Sequence, residues 1–177
     1  MPSMVGEKDT IICDLDGTIA LDEARAVQYL RKPHAEHCAC NPKNTMEGYD
    51  PLCTCGWKRD WDGYFAACES DEPNWPVIHT IRLFWDEGYN IRLLTGRNES
   101  VRDITERWLR THAVPHHTLL MRPQEERMDD HILKPAIAIK SGWLPQNVLF
   151  VLEDRQRVVD SWRKLGYTVF QVAPGNF

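Results

Sequence analysis

Ile11-Ile12-Cys13-Asp14-Leu15-Asp16-Gly17-Thr18 decides how this chain folds. The apolar run predicts a buried strand over residues 9–14, and a glycine turn follows the acidic pair at once. Two carboxylates set side by side repel each other. A strand that ends on such a pair calls for a cation or a chemical role.

Outward from this strand the pattern becomes regular after residue 75. Val77, Ile81 and Phe84 share a helical face, with Gly88 as the stop signal. Ile91-Arg92-Leu93-Leu94 reads as a strand ending in Thr95-Gly96-Arg97. Val101, Ile104, Trp108 and Leu109 mark an amphipathic helix, and Thr118–Met121 a short strand. A helix around Asp129–Ser141 leads to strand Asn147–Leu152, which ends at Glu153-Asp154-Arg155. Val158, Trp162 and Leu165 lie on a helix closing at Gly166, and Tyr167–Val172 is a last strand. Strands and helices alternating in this way predict an α/β fold, with a central parallel sheet flanked by helices. Ligands bind outside the carboxyl ends of the strands in such sheets. Three polar clusters fall at those ends: Asp14/Asp16, Thr95–Arg97 and Glu153/Asp154.

The 177 residues, 42% of them hydrophobic, suit one domain with a real core. We divide it into a core, residues 1–21 and 76–177, and a Cys/His-rich insert or cap, residues 22–75. No apolar stretch approaches the roughly 20 residues that span a bilayer. Met1–Lys8 lacks the apolar centre of a signal peptide. The expectation is a soluble, cytoplasmic chain with no membrane partner. A net charge of −5 disfavours coating long stretches of nucleic acid, yet allows binding of a nucleotide or a strand end.

The strand-end residues suit Mg2+-dependent phosphoryl transfer, which needs an in-line nucleophile, charge neutralisation and an acid for the leaving group. Asp14 is the natural nucleophile. Asp16 points to the same side, since strand side chains repeat every second residue, and suits acid/base work. Glu153 and Asp154, with Asp14 and a backbone carbonyl, supply the oxygen ligands that Mg2+ prefers. Thr95 and nearby backbone N–H groups can hold a phosphoryl oxygen, with Lys134 and Arg97 balancing charge. Singly, each has a plainer reading: an acidic turn, a Thr-Gly turn, a solvated lysine, a surface arginine, and Asp129 as a helix N-cap. Their order at the strand ends carries the chemistry.

Asp14–Thr18, Thr95, Lys134 and Glu153-Asp154 match in sequence the four motifs of haloacid dehalogenase-type (HAD) phosphatases, which this chain resembles. The resemblance narrows to the 3′-phosphatase domain of phage-type polynucleotide kinase-phosphatases. It is carried by Thr95-Gly96-Arg97, residues 127–134, Glu153-Asp154-Arg155, Ser161-Trp162-Arg163 and residues 171–177, and it covers residues 10–20 and 58–177. It implies a Rossmann-like HAD core and Mg2+-dependent removal of a terminal 3′-phosphate from nucleic acid ends or nucleotides through an aspartyl-phosphate. Residue by residue, it implies Asp14 as nucleophile and metal ligand and Asp16 as acid/base, with its backbone carbonyl on the metal. It places Thr95 and Lys134 on the phosphate, Glu153 and Asp154 at the metal, and Gly96, Arg97 and Asp129 in the site. It also implies an arginine between the first two motifs. Arg59 suits the surrounding pattern and Arg25 suits the spacing from Asp14, and both stand. Glu153 replaces an aspartate of the related sequences; one methylene longer, it is expected to reach the metal through water. No GxxxxGK[ST] loop occurs, so the expected activity is dephosphorylation alone.

Within the insert, Cys38, Cys40, Cys53 and Cys55 form two C-x-C pairs that can clamp a structural Zn2+, with His34 or His37 as substitutes. The other reading is four reduced thiols. Cys13 and Cys68 read as core residues. Trp57, Trp61, Tyr64 and Phe65 either pack in the core or cap, or stack on a base. The leading function is the 3′-phosphatase, with a separate kinase or ligase as partner. A nucleoside monophosphate phosphatase acting on 5′- or 3′-mononucleotides is the alternative, and a non-catalytic zinc-bearing interaction module the third reading.

Overall fold

The computed structural model describes residues 8–30 and 59–175. His34, His37, Cys38, Cys40, Cys53, Cys55 and Trp57 lie outside the described residues, and the zinc reading with them.

In chain order the elements are β1 (Thr10–Cys13), β2 (Ala20–Leu21) and α1 (Glu23–Arg25), which runs on into a wider helical turn, Ala26–Leu30. Next come α2 (Trp61–Ala66), a tight turn Ala67–Ser70, and β3 (Glu72–Pro73). The regular part is α3 (Trp75–Asp86), β4 (Asn90–Asn98), α4 (Arg102–Thr111), β5 (Thr118–Arg122), α5 (Asp130–Lys140), β6 (Val148–Arg155), α6 (Gln156–Lys164) and β7 (Val169–Gly175).

Five strands form one sheet in the order β5-β4-β1-β6-β7, with every pairing parallel. β2 and β3 make a separate antiparallel ribbon. Side chains alternate along β1 and build a core on each face of the sheet. Ile11 and Cys13 join Ile78 and Ile81 of α3 and Trp108 and Leu109 of α4. Ile12 faces the other way, toward Ala138 of α5 and Val158, Val159 and Trp162 of α6. Helices on both faces therefore leave β1 buried on both sides, which is why Thr10–Cys13 is fully buried. α3 ends as the sequence predicts, with Gly88 at φ 89°, a conformation a side chain would resist.

Two expectations change. The strand ends are longer than the apolar runs: β4 continues through Thr95, Gly96 and Arg97, an irregular stretch after which pairing with β5 resumes at Asn98, and β6 continues through Glu153, level with Gln171 of β7, and Asp154. Residues 59–75 are also less irregular than their mixed composition suggests. Asp60 caps α2 by accepting from the Gly63 N–H at 2.8 Å, and β3 pairs with β2.

From β1 the chain adds β4 and β5 on one side, then crosses to β6 and β7 on the other. The reversal beside β1 opens a crevice at the carboxyl ends of the strands, the place where sheets of this class bind ligands.

Candidate active site

Register brings the first acid to the last pair. Cys13 is level with Leu93 of β4 and Leu152 of β6, and the Asp14 N–H donates to the Leu152 carbonyl at 3.0 Å. One step further along each strand lie Asp14, Glu153 and Asp154. All three carboxylates are buried and offer oxygens within 4.8 Å of one another. Lys134, buried on α5, places its ammonium 2.9 Å from Asp14 Oδ1 and 2.8 Å from Glu153 Oε2. Burial and the neighbouring charge of Glu153 push the Asp14 carboxyl well up, and burial with the charge of Asp14 raises Asp154 to about 6. Burial works against the Lys134 charge, but Asp14 and Glu153 outweigh it and keep the ammonium protonated.

Lys134 thus pairs with two of the three buried carboxylates, and the Thr18 hydroxyl donates to Asp154 Oδ1 at 3.3 Å. An all-oxygen donor set with surplus negative charge fits a hard divalent cation such as Mg2+. The Gly17 turn closes over it. At φ 75°, a Cβ there would stand 2.2 Å from Asp154 Oδ2. Glu153 Oε2 accepts from Lys134, and Glu153 belongs to the same three-carboxylate group.

Asp16 turns away from these acids into a second cluster. Its Oδ1 accepts from Arg25 Nη2 and from Arg97 Nε at 2.9 Å. Burial alone would raise Asp16, but Arg97 and Arg25 hold its carboxyl at about 2. Arg97 is fully buried, which rules out the surface-cation reading; a lone guanidinium there would be costly, and Asp71 completes the set. Asp71 accepts from Arg25 Nε at 2.6 Å and Nη2 at 2.8 Å, and from Arg97 Nη2 at 2.9 Å. Of the two candidate arginines, Arg25 lies on Asp16, whereas Arg59 is exposed and lines an outer cleft. Thr95 is buried and its hydroxyl accepts the Arg97 N–H at 3.1 Å, fixing the bend that aims Arg97 inward.

A third cluster surrounds Gly96. Asp130 takes Arg122 and Arg155 on its two oxygens, and a Cβ on Gly96 would meet Asp130 Oδ1 at 2.6 Å. The neighbouring Asp129 is exposed, precedes α5 and pairs with Arg157 at 3.3 Å, so it stands outside the buried acids. Sequence reasoning missed Asp71, Asp130 and Arg122. Asp130 carried a signal: it precedes Lys134 by one helical turn and so shares its face.

These clusters open outward. A throat of about 20 Å3 touches Asp14, Asp16, Gly96, Asp130 and Lys134. It leads to a cleft of about 520 Å3 that shares Gly96, Asp130 and Arg155 with it.

Residues 58–177 match the family model described as the polynucleotide kinase PNKP phosphatase domain, of HAD type. The chain belongs to this family. Like other members it is a phosphomonoesterase. It is similar over 96% of its length to a chain in a Pnkp1/Rnl/Hen1 complex, with 28% identity and a TM-score of 0.68. It is also similar over its full length to a chain in the Pnkp1/Rnl/Hen1 RNA repair complex, with 27% identity and a TM-score of 0.69. The PNKP-type chain spans about half of those chains, 48% in each case. No helix among its described residues is long and apolar enough to cross a membrane.

Proposed function

We propose that this chain removes a terminal 3′-phosphate from nucleic acid ends, with Asp14 as the nucleophile. The observation that carries the reading is the placement of Asp14 beside Lys134 and with Glu153 and Asp154, on a small cavity that Gly96 and Asp130 also line. Membership of the PNKP phosphatase family points to polynucleotide ends as the substrate class. The RNA repair complex that holds one similar chain favours a strand end over a free mononucleotide.

An Asp14 oxygen attacks phosphorus in line, the bond from phosphorus to the 3′-oxygen breaks, and an aspartyl-phosphate forms. Asp16 gives a proton to the departing 3′-oxygen, then takes one from the water that attacks the aspartyl-phosphate and releases inorganic phosphate. Arg97 and Arg25 hold Asp16 ionised, so it has to take up a proton from solvent before it can donate one to the leaving oxygen. Lys134 and the Thr95–Gly96 backbone orient the phosphoryl oxygens. Mg2+, when held by Asp14, Asp154 and the Asp16 carbonyl with Glu153 alongside, neutralises phosphoryl charge. On this reading residues 1–21 and 76–177 form the catalytic core, residues 22–75 cap it, and a separate kinase or ligase acts on the same ends.

Phosphate release from 3′-phosphorylated oligonucleotides, 5′-phosphorylated oligonucleotides and free mononucleotides, with Mg2+ or with EDTA, tests the proposal. Release from the 3′-ends that stops in EDTA is expected. Faster turnover of free mononucleotides would overturn it in favour of a nucleotidase.

A further inference from the structure

Trp61 stands where the throat meets the cleft and borders both. Its side chain is on the first turn of α2 and the residue is 45% exposed. Phe65 backs it at 6.0 Å with the planes 29° apart, and Tyr64 meets it edge-on at 5.8 Å. The turn beneath is anchored, since Asp60 caps it and the Tyr64 hydroxyl bonds to Asp22. The ring is thus a supported platform facing the space just outside the phosphoryl-transfer residues.

The cleft combines rings with cations. Trp61 and Phe65 stand with Asp62 and Arg59 on the α1–α2 side, and Arg127 and Arg157 lie among Glu126 and Asp129 on the other, Arg157 being paired with Asp129. A nucleotide offers an aromatic base to rings and an anionic backbone to cations. We infer that Trp61 is the stacking platform for the nucleobase of the nucleotide that carries the terminal phosphate. The inference rests on the phosphatase reading above. Stacking uses the face common to every base, so this platform tolerates base identity.

The test is equilibrium binding, by fluorescence anisotropy with Mg2+, of 3′-phosphorylated oligonucleotides whose last nucleotide is either normal or abasic. An Asp14→Asn background prevents turnover. With Trp61 present, removing the base is expected to weaken binding about tenfold or more. In Trp61→Ala and in Trp61→Leu, which keeps apolar bulk without a π-face, the same removal should cost less than about twofold. Trp61→Phe should retain most of the effect. An equal loss on base removal in all four proteins overturns the platform. The phosphatase reading fails separately, if the protein with Asp14 intact releases no phosphate from the normal 3′-end.

Discussion

Asp71 and Asp16 face each other across the same two guanidiniums, those of Arg25 and Arg97. Two acids and two arginines cancel in charge, and each arginine is shared between the acids. Asp71 is anchored from behind, where the Trp108 indole N–H donates to its carbonyl at 2.8 Å. The α4 core therefore holds the acid that holds the arginines that hold Asp16.

Asp71→Ala should leave two buried guanidiniums with one carboxylate. The expected loss is about 3–5 kcal/mol of stability, as for other broken buried ion pairs. Chemical denaturation measures it. A loss below about 1 kcal/mol would mean that the two arginines find solvent instead.

Gly17→Ala combines a residue at φ 75° with a Cβ 2.2 Å from Asp154 Oδ2. The backbone alone costs about 1–2 kcal/mol, and the carboxylate has to move as well. Turnover should fall and the Mg2+ concentration for half-maximal rate should rise. Unchanged Mg2+ dependence would show that Asp154 is not a ligand.

The two clusters respond to pH in opposite senses. Asp16, folded at about 2 against a usual 3.8, stabilises the fold above about pH 4, and that contribution disappears as pH falls through 2. Asp154, raised to about 6, works the other way: stability is lost as pH rises from about 4 through 6, by about 3 kcal/mol. Asp14 and Glu153 are raised in the same direction. A bound divalent cation removes that penalty, so Mg2+ should raise the melting temperature more at pH 7.5 than at pH 5. Thermal melts with and without Mg2+ at both pH values decide this, and equal shifts would argue against the carboxylate group as the metal site.

Asp14→Asn keeps the shape of the side chain but removes the attacking oxyanion. Phosphate release should drop by at least about a thousandfold, while the fold and the binding of 3′-phosphorylated ends persist. Isotope-labelled phosphate trapped on the wild-type protein by acid quench, and absent from the variant, would identify the aspartyl-phosphate.

Much of this was readable along the chain. Ile11-Ile12-Cys13 announced a buried central strand, Gly88 a helix stop, and the three polar strand ends a shared crevice, because these signals act within a few residues. Period, turn chemistry and the alternation of strand and helix are local properties, and they settle the sheet and the edge where ligands bind. Asp14, Thr95 and Asp154 each follow an apolar strand run, which put them at that edge, while Lys134 was assigned by charge balance and by the family resemblance. What surrounds Asp16 was not local. Whether Arg25 or Arg59 reaches it, and that Asp71, 55 residues further on, clamps both arginines, follows from how α1, the turn before β3 and α4 pack on one face of the sheet. A buried charge takes whichever opposite charges the packing brings within hydrogen-bond reach. Local signals are enough for the strand, the acids and the edge of the sheet. Packing between distant segments selects the side chains that neutralise those acids, and so sets Asp14 against a lysine and Asp16 between two arginines.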